Sequence, residues 1–146
     1  ASDGFPEFQA RHRGCAQALA EAGLGLAAEL QVNADSTEQA GYEAARALLA
    51  HGRSFDAVFA ASDLIAIGAM RALQDAGLRV PADVAVVGFD GTPMARFCNP
   101  PLTTVVQDTT TAGELLVQAL LAQVRGEDAV SLMLQPTLDV RASSIA

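Results

Sequence analysis

The chain has 146 residues, a formal charge of −8 and an isoelectric point near 4.5. That length suits one domain, which can bury roughly two-thirds of its unfolded surface. The acidic balance makes a poor nucleic-acid binder, because phosphate contacts need clustered Lys and Arg, and the lack of any lysine excludes Schiff-base chemistry and a phosphate-loop lysine.

The opening ASDGFPEF reads as loop, as if the chain were a fragment cut within one. Arg11 to Ala22 is the first predicted helix, with Cys15, Ala16, Leu19 and Ala20 inward and Gly23 as its stop. Leu26 to Val32 reads as a short strand. The polar turn Asn33–Thr37 contains Ser36-x-x-Gln39, a capping-box pattern, and a helix follows from Thr37 to about His51.

The most informative stretch runs from Phe55 to Asp90. Ala57–Ala61 has no polar residue, as expected of a strand buried on both faces of a parallel sheet. Ser62 and Asp63 offer oxygens to the first N–H groups of a helix whose apolar residues include Leu64, Ile65, Ile67, Gly68, Met70 and Leu73. Gly77 stops that helix and Pro81 keeps it stopped. Val84–Phe89 is the second apolar run. Two strands joined by such a helix run parallel with a right-handed crossover.

After the Gly91-Thr92-Pro93 turn, Leu102–Gln107 reads as a strand. Asp108 or a neighbouring Thr caps a long helix through about Arg125, apolar nearly all round at Ala112, Leu115, Leu116, Val117, Leu120, Leu121 and Val124. Ser131–Leu134 and Thr137–Arg141 read as two short strands separated by Pro136. The expected fold is α/β: a three-layer sandwich with a mostly parallel sheet and helices on both faces. No repeat or second domain is visible.

Ser62-Asp63 and Asp90 both lie just past the carboxyl ends of their strands, where open α/β sheets bind ligands. Asp90 can accept from two hydroxyls of a sugar-like ligand; otherwise it is a turn residue ahead of Gly91. Ser62 is equally a plain helix cap, with Asp63 the better structural cap. Cys15 and Cys98 lack metal spacing and read as small buried apolar residues. No metal cluster, cofactor motif or membrane-length apolar run appears, and no signal peptide opens the chain.

ASDLIAIGAMRAL, GLRVPADVAVVGFD and PPLTTVVQD (100–108), in that order and spacing, resemble the effector-binding core of lactose-repressor-type (LacI/GalR) transcriptional regulators. Arg11-x-x-Gly14 and Val140-Arg141-x-Ser143 fit as well. The resemblance implies a periplasmic-binding-protein-like lobe plus a returning C-terminal helix, with residues 1–146 forming the later part of a sugar-sensing domain. It implies a cytoplasmic homodimer that binds a sugar-like or nucleoside-like effector and reaches DNA only through an N-terminal helix-turn-helix head absent here. It gives ligand contact to Asp90 and Arg11, and polar cleft positions to Glu7 and Gln107; without the resemblance, Arg11 reads as a solvent-exposed arginine. Ser62 stands where the family most often has Asn, and Ser36 where it often has a stacking aromatic. A glutamate at position 7 favours hydroxyl- or amine-bearing ligands over anions. The family's dimer surface maps to Ile67, Met70 and the segment near Phe97, although core packing explains Ile67 equally well. The helix after Asp108 would pack on the first lobe, and without it on a neighbouring chain or an unusual surface.

Two other readings compete. Val86–Thr92 resembles the DxDGT nucleophile motif of haloacid-dehalogenase phosphatases, but Gly88 stands at the nucleophile position and cannot form an aspartyl phosphate. No Ser-His-Asp set or phosphate loop is present, so the chain reads as non-catalytic. A periplasmic sugar-binding protein of a transport system shares the fold and remains the alternative to a regulator.

Overall fold

The computed structural model describes residues 5–52 and 54–145. In chain order it forms α1 (Pro6–Glu21), a 3-10 turn (Ala28–Leu30), α2 (Glu38–Ala50), β1 (Ala57–Phe59), α3 (Asp63–Asp75), β2 (Ala85–Asp90), a second 3-10 turn (Pro93–Arg96), β3 (Thr103–Val106), α4 (Thr109–Val124) and β4 (Thr137–Asp139). The four strands lie in the order β1-β2-β3-β4. The first three are parallel and β4 runs antiparallel to β3, so the sheet is mixed but mostly parallel, as expected.

The core sits between α3 and the sheet. Ala66, Leu73, Val86 and Leu102 are fully buried there, with Ile65, Met70 and Val84 around them. The chain after β4 completes it from the amino ends of the strands. Ser143 Oγ donates to the Val86 carbonyl at 2.6 Å and accepts from Thr103 N at 2.8 Å, so one hydroxyl ties β2 to β3.

Several expected elements differ. α1 begins at Pro6, not Arg11; proline at the first helical position followed by Glu7 is itself a start signal. The expected strand Leu26–Val32 is absent. Ala-Ala-Glu-Leu favours helical backbone, and Gln31 Nε2 donates to the carbonyls of Leu26 and Ala27, closing the segment on itself. β1 is consequently an edge strand with Phe59 partly exposed, not a strand buried on both faces. Ser131–Leu134 forms no strand, since nothing pairs with it, and Leu132 and Met133 face solvent. Thr37, not Ser36, caps α2 by accepting from Ala40 N at 3.1 Å, and Gln39 turns to Glu43 instead of closing a capping box. α4 runs as expected from its Asp108 cap but buries none of its residues, so its apolar side is uncovered in the single chain.

α2 and α3 touch backbone to backbone. A Cβ on Gly68 would overlap Glu38 O and Tyr42 N, and one on Gly41 would overlap the Ile65 backbone. Two glycines, one per helix, thus set the interhelical distance. Alanine gains about 1 kcal/mol over glycine in helix propensity, but forcing a methyl into packed backbone costs up to about 3 kcal/mol. Gly68→Ala is therefore expected to lower stability by about 2 kcal/mol in urea denaturation. An unchanged midpoint would show that the helices separate freely.

Candidate functional site

β2 ends on Asp90, which lies opposite Val106 in the register with β3. Gln107, one residue further along, donates from Nε2 to Asp90 Oδ1 at 2.9 Å. Past β1, Ala61 leaves its carbonyl at the same rim. Arg11 reaches both strand ends from α1. Its Nη1 donates to Ala61 O at 2.6 Å and its Nη2 pairs with Asp90 Oδ1 at 3.1 Å. The guanidinium lies 3.9 Å above the Phe89 ring centroid and 5.2 Å from that of Phe8. Two acceptors and two aromatic faces hold a planar fork in one pose. The Arg11 side chain is only 13% exposed, and that of Asp90 is 31%.

The division of labour at Asp90 follows. Oδ1 is taken by Gln107 and Arg11, whereas among the described residues nothing donates to Oδ2. Burial raises the Asp90 carboxyl above the ordinary carboxylate range. Arg11 opposes this and loses, with nearby Asp63 adding to the rise. The result is a half-desolvated acceptor oxygen at the edge of the sheet, suited to a hydroxyl donor.

Asp63 does more than cap. It is fully buried at the first position of α3, and its carboxylate accepts from Thr92 N at 2.7 Å, Thr92 Oγ1 at 2.9 Å and Thr104 Oγ1 at 2.6 Å. Thr104 Oγ1 in turn accepts from Gly91 N at 3.2 Å. The helix cap is Ser62, whose Oγ accepts from Ile65 N. Ser62 also accepts from Ser36 Oγ at 2.8 Å and is only 1% exposed, so Ser36 covers it and it offers a ligand no surface in this conformation. Glu7 is exposed one turn before Arg11, with no bond to the cluster among the described residues. Arg11, Asp90 and Gln107 are thus brought together, Ser36 and Ser62 pair beside them, and Glu7 stands apart.

The residues assigned to a dimer surface divide similarly. Met70 is 3% exposed inside the core and has no surface to give a partner; its place on the helix faces the sheet. Ile67 packs partly against that core. Phe97, by contrast, is 81% exposed, with Met94 exposed beside it. The roles of Phe8, Phe89, Thr92 and Thr104 were missed. The signal for the threonines was a Thr pair inside an apolar strand run, which needs a buried acceptor.

The chain matches the periplasmic binding protein-like domain family over residues 2–144. It belongs to that family. Its relatives are regulators of the LacI type. The HTH-type transcriptional repressor PurR of Erwinia tasmaniensis is 38% identical over 91% of this chain and 40% of its own length. A transcriptional regulator CelR–cellobiose complex superposes with a TM-score of 0.86 at 40% identity, covering 92% of this chain and 42% of that one. A sugar-binding LacI-family regulator from Escherichia coli, complexed with phosphate, gives 0.92 at 33% identity, covering 100% and 53%. The chain thus spans about 40% of the curated relative's length. Among the described residues no helix is long and apolar enough to cross a membrane, and no group of three metal-ligating side chains occurs.

Within this periplasmic binding protein-like domain, Asp90 is strained. Its φ is 118°, and it is the one non-glycine residue with positive φ among those described. Such backbone costs about 1–3 kcal/mol at a non-glycine residue. Gly91 does not make the turn alone, since both residues carry positive φ. Asp90→Gly should stabilise the fold by about 1 kcal/mol or more over Asp90→Ala, because only glycine relaxes the backbone. Asp90→Asn adds a pH test. A raised folded-state pKa means that the native state holds the proton more tightly than the unfolded chain, so the wild type loses stability as pH rises through the unfolded and then the folded value. Asn should thus be stabilising near pH 7 and near neutral at pH 3 in thermal melts; equal effects at both would refute the desolvation account.

Proposed function

We propose that the chain is the ligand-sensing part of a LacI-family transcriptional regulator. The observation that carries this is Asp90, with Oδ1 fixed by Arg11 and Gln107 and Oδ2 open at the carboxyl edge of a parallel sheet. An acceptor held this way suits a hydroxyl-bearing small molecule, sugar-like or nucleoside-like. It does not suit an anion, because Arg11 is already spent on Asp90 and Ala61 and Glu7 adds negative charge nearby. Its relatives are transcriptional regulators, which favours this over a transport-system binding protein.

In this reading residues 1–146 supply one wall of an interlobe cleft in a cytoplasmic, non-catalytic protein. The uncovered apolar side of α4 packs on a first lobe. The effector binds between lobes, favours one relative orientation, and so alters how a homodimer presents helix-turn-helix heads to DNA. The dimer surface is centred on Phe97 and Met94 with the exposed part of Ile67.

In the full-length protein, a screen of neutral sugars and nucleosides should find a ligand that raises the melting temperature, with about 2.7 kcal/mol of stabilisation at a hundredfold excess over Kd. Asp90→Ala should abolish that rise, and a retained rise would overturn the assignment. Phe97→Glu should halve the mass of the full-length protein by light scattering without changing its circular dichroism. An unchanged mass would remove Phe97 from the interface.

A further inference from the structure

We infer that the connection between α1 and α2 is a strap with two positions: latched by His12 and Gln31 as the present 3-10 turn, and closed onto the free edge of β1 as a fifth, parallel strand. This goes beyond the ligand-sensor reading and does not depend on it. The edge of β1 lacks a partner. Ala60 N donates to Val87 O and Asp56 O accepts from Ala85 N, so Asp56, Val58 and Ala60 turn their backbone groups to β2. Ala57, Phe59 and Ala61 then direct theirs away from the sheet. Arg11 takes the Ala61 carbonyl, and among the described residues no strand pairs with Ala57 or Phe59. A free edge of this kind is a template for pairing, and folds usually cover it.

Beside that edge lies a cavity of about 760 Å³, lined by Ala57 through Ala61 along the whole strand. Arg11 stacks on Phe89, whereas a Cβ on the neighbouring Gly88 would meet Ala66 of α3, so α1 and the packed α2–α3 pair cover opposite faces of the sheet. Both overhang the edge: Cys15 and Leu19 of α1 line the cavity, and so do Ala44 and Leu48 of α2. A space bounded by a strand edge, with helices above and below, has the shape of one further strand. Its outer wall is the strap itself, through Leu26, Leu30 and Val32. These belong to an alternation, Leu26, Ala28, Leu30 and Val32 against Glu29 and Gln31, that suits a strand better than a helical turn. Because α2 joins the strap to β1, the added strand runs parallel. The strap is hinged at Gly23, whose φ is 73°, and anchored at Thr37, which caps α2. Little holds it off the edge. The turn has two backbone bonds, Leu30 N to Ala27 O and Gln31 N to Ala28 O. Gln31 Nε2 reaches Leu26 O and Ala27 O at 3.3 Å each, and Gln31 Oε1 lies 2.7 Å from His12 Nε2. These side-chain bonds are exposed to solvent. Closing exchanges them for ladder bonds and buries apolar side chains in the cavity.

The test uses the full-length protein, read by hydrogen exchange of residues 26–32 and 57–61 and by the rate at which Cys15, on the cavity wall, reacts with a maleimide. The expected wild-type result is partial protection of both segments. Gln31→Leu should raise the protection of both together by about fivefold, the equivalent of one hydrogen bond, and slow the labelling of Cys15. His12→Ala should act in the same direction, and the double variant no further than Gln31→Leu alone, since both substitutions open one latch. Ala44→Phe fills the cavity and should remove the protection while a cooperative melting curve is kept. Full exposure of both segments in the wild type and in Gln31→Leu, with Cys15 labelling unchanged, would overturn the closed position. Full protection that no latch variant alters would overturn the latch and leave an ordinary fifth strand.

Discussion

The structure depends on where Asp63 puts its charge. An ionised carboxylate removed from water costs several kcal/mol unless donors replace the solvent. Here three donors do so, and the N-terminus of α3 adds a favourable dipole. Thr92 lies beyond β2 and Thr104 within β3, so satisfying one carboxylate fixes a helix start, a turn and two strands in one arrangement. The same demand explains Gly88. A Cβ there would press on Asp63 Oδ1 and Leu102, so the strand must be bare at that point. The likeness of Val86–Thr92 to a phosphatase motif then has a structural resolution. The space of the missing nucleophile is filled by Asp63, and the Thr of the motif serves it as a donor.

Holding the turn this firmly is what allows Asp90 its unfavourable conformation. Gly91 N is tied to Thr104 and both donors of Thr92 to Asp63, so the backbone between β2 and the turn has no freedom to relax. Three features meet at Asp90: a positive φ, a carboxyl with raised proton affinity, and an oxygen to which none of the described residues donates. Arg11 does not cancel them, since burial outweighs its attraction. Costs that a fold does not need, concentrated on one half-buried side chain, support the proposal that this is a binding residue and not only one half of a structural ion pair.

The stretch from Ala57 to Asp90 was legible because cap, apolar periodicity, glycine stop and second apolar run all point the same way. That sufficed to bring Ser62, Asp90 and, through the family resemblance, Arg11 and Gln107 to one rim. Less was legible where a side chain had two uses. Ser36 fits a capping box by spacing, but Thr37 takes the cap and frees Ser36 for Ser62. Met70 and Ile67 lie on one apolar helix, and only the packing shows that the first is core and the second half open. Leu26–Val32 failed for a local reason, the Gln31 side chain competing for its carbonyls. The aromatic clasp of Arg11 lay outside reach, because Phe8 and Phe89 are 81 positions apart in the numbering.

The uncovered surfaces bear on how such a site communicates. α4 exposes Leu116, Val117, Leu120 and Val124, each more than half open. Burying a side chain of this kind contributes about 1.5–3 kcal/mol, so together they form a face that gains strongly from cover. That helix begins at Asp108, which caps it through Thr111, and Asp108 directly follows Gln107, the donor that holds Asp90. Under the proposed reading a ligand takes the open Oδ2 and leaves Gln107 on Oδ1, so it adds to the load on a carboxylate whose partner is one residue from the cap of α4. Coupling of that form needs no distant pathway, only that α4 have two positions of similar energy on whatever covers it.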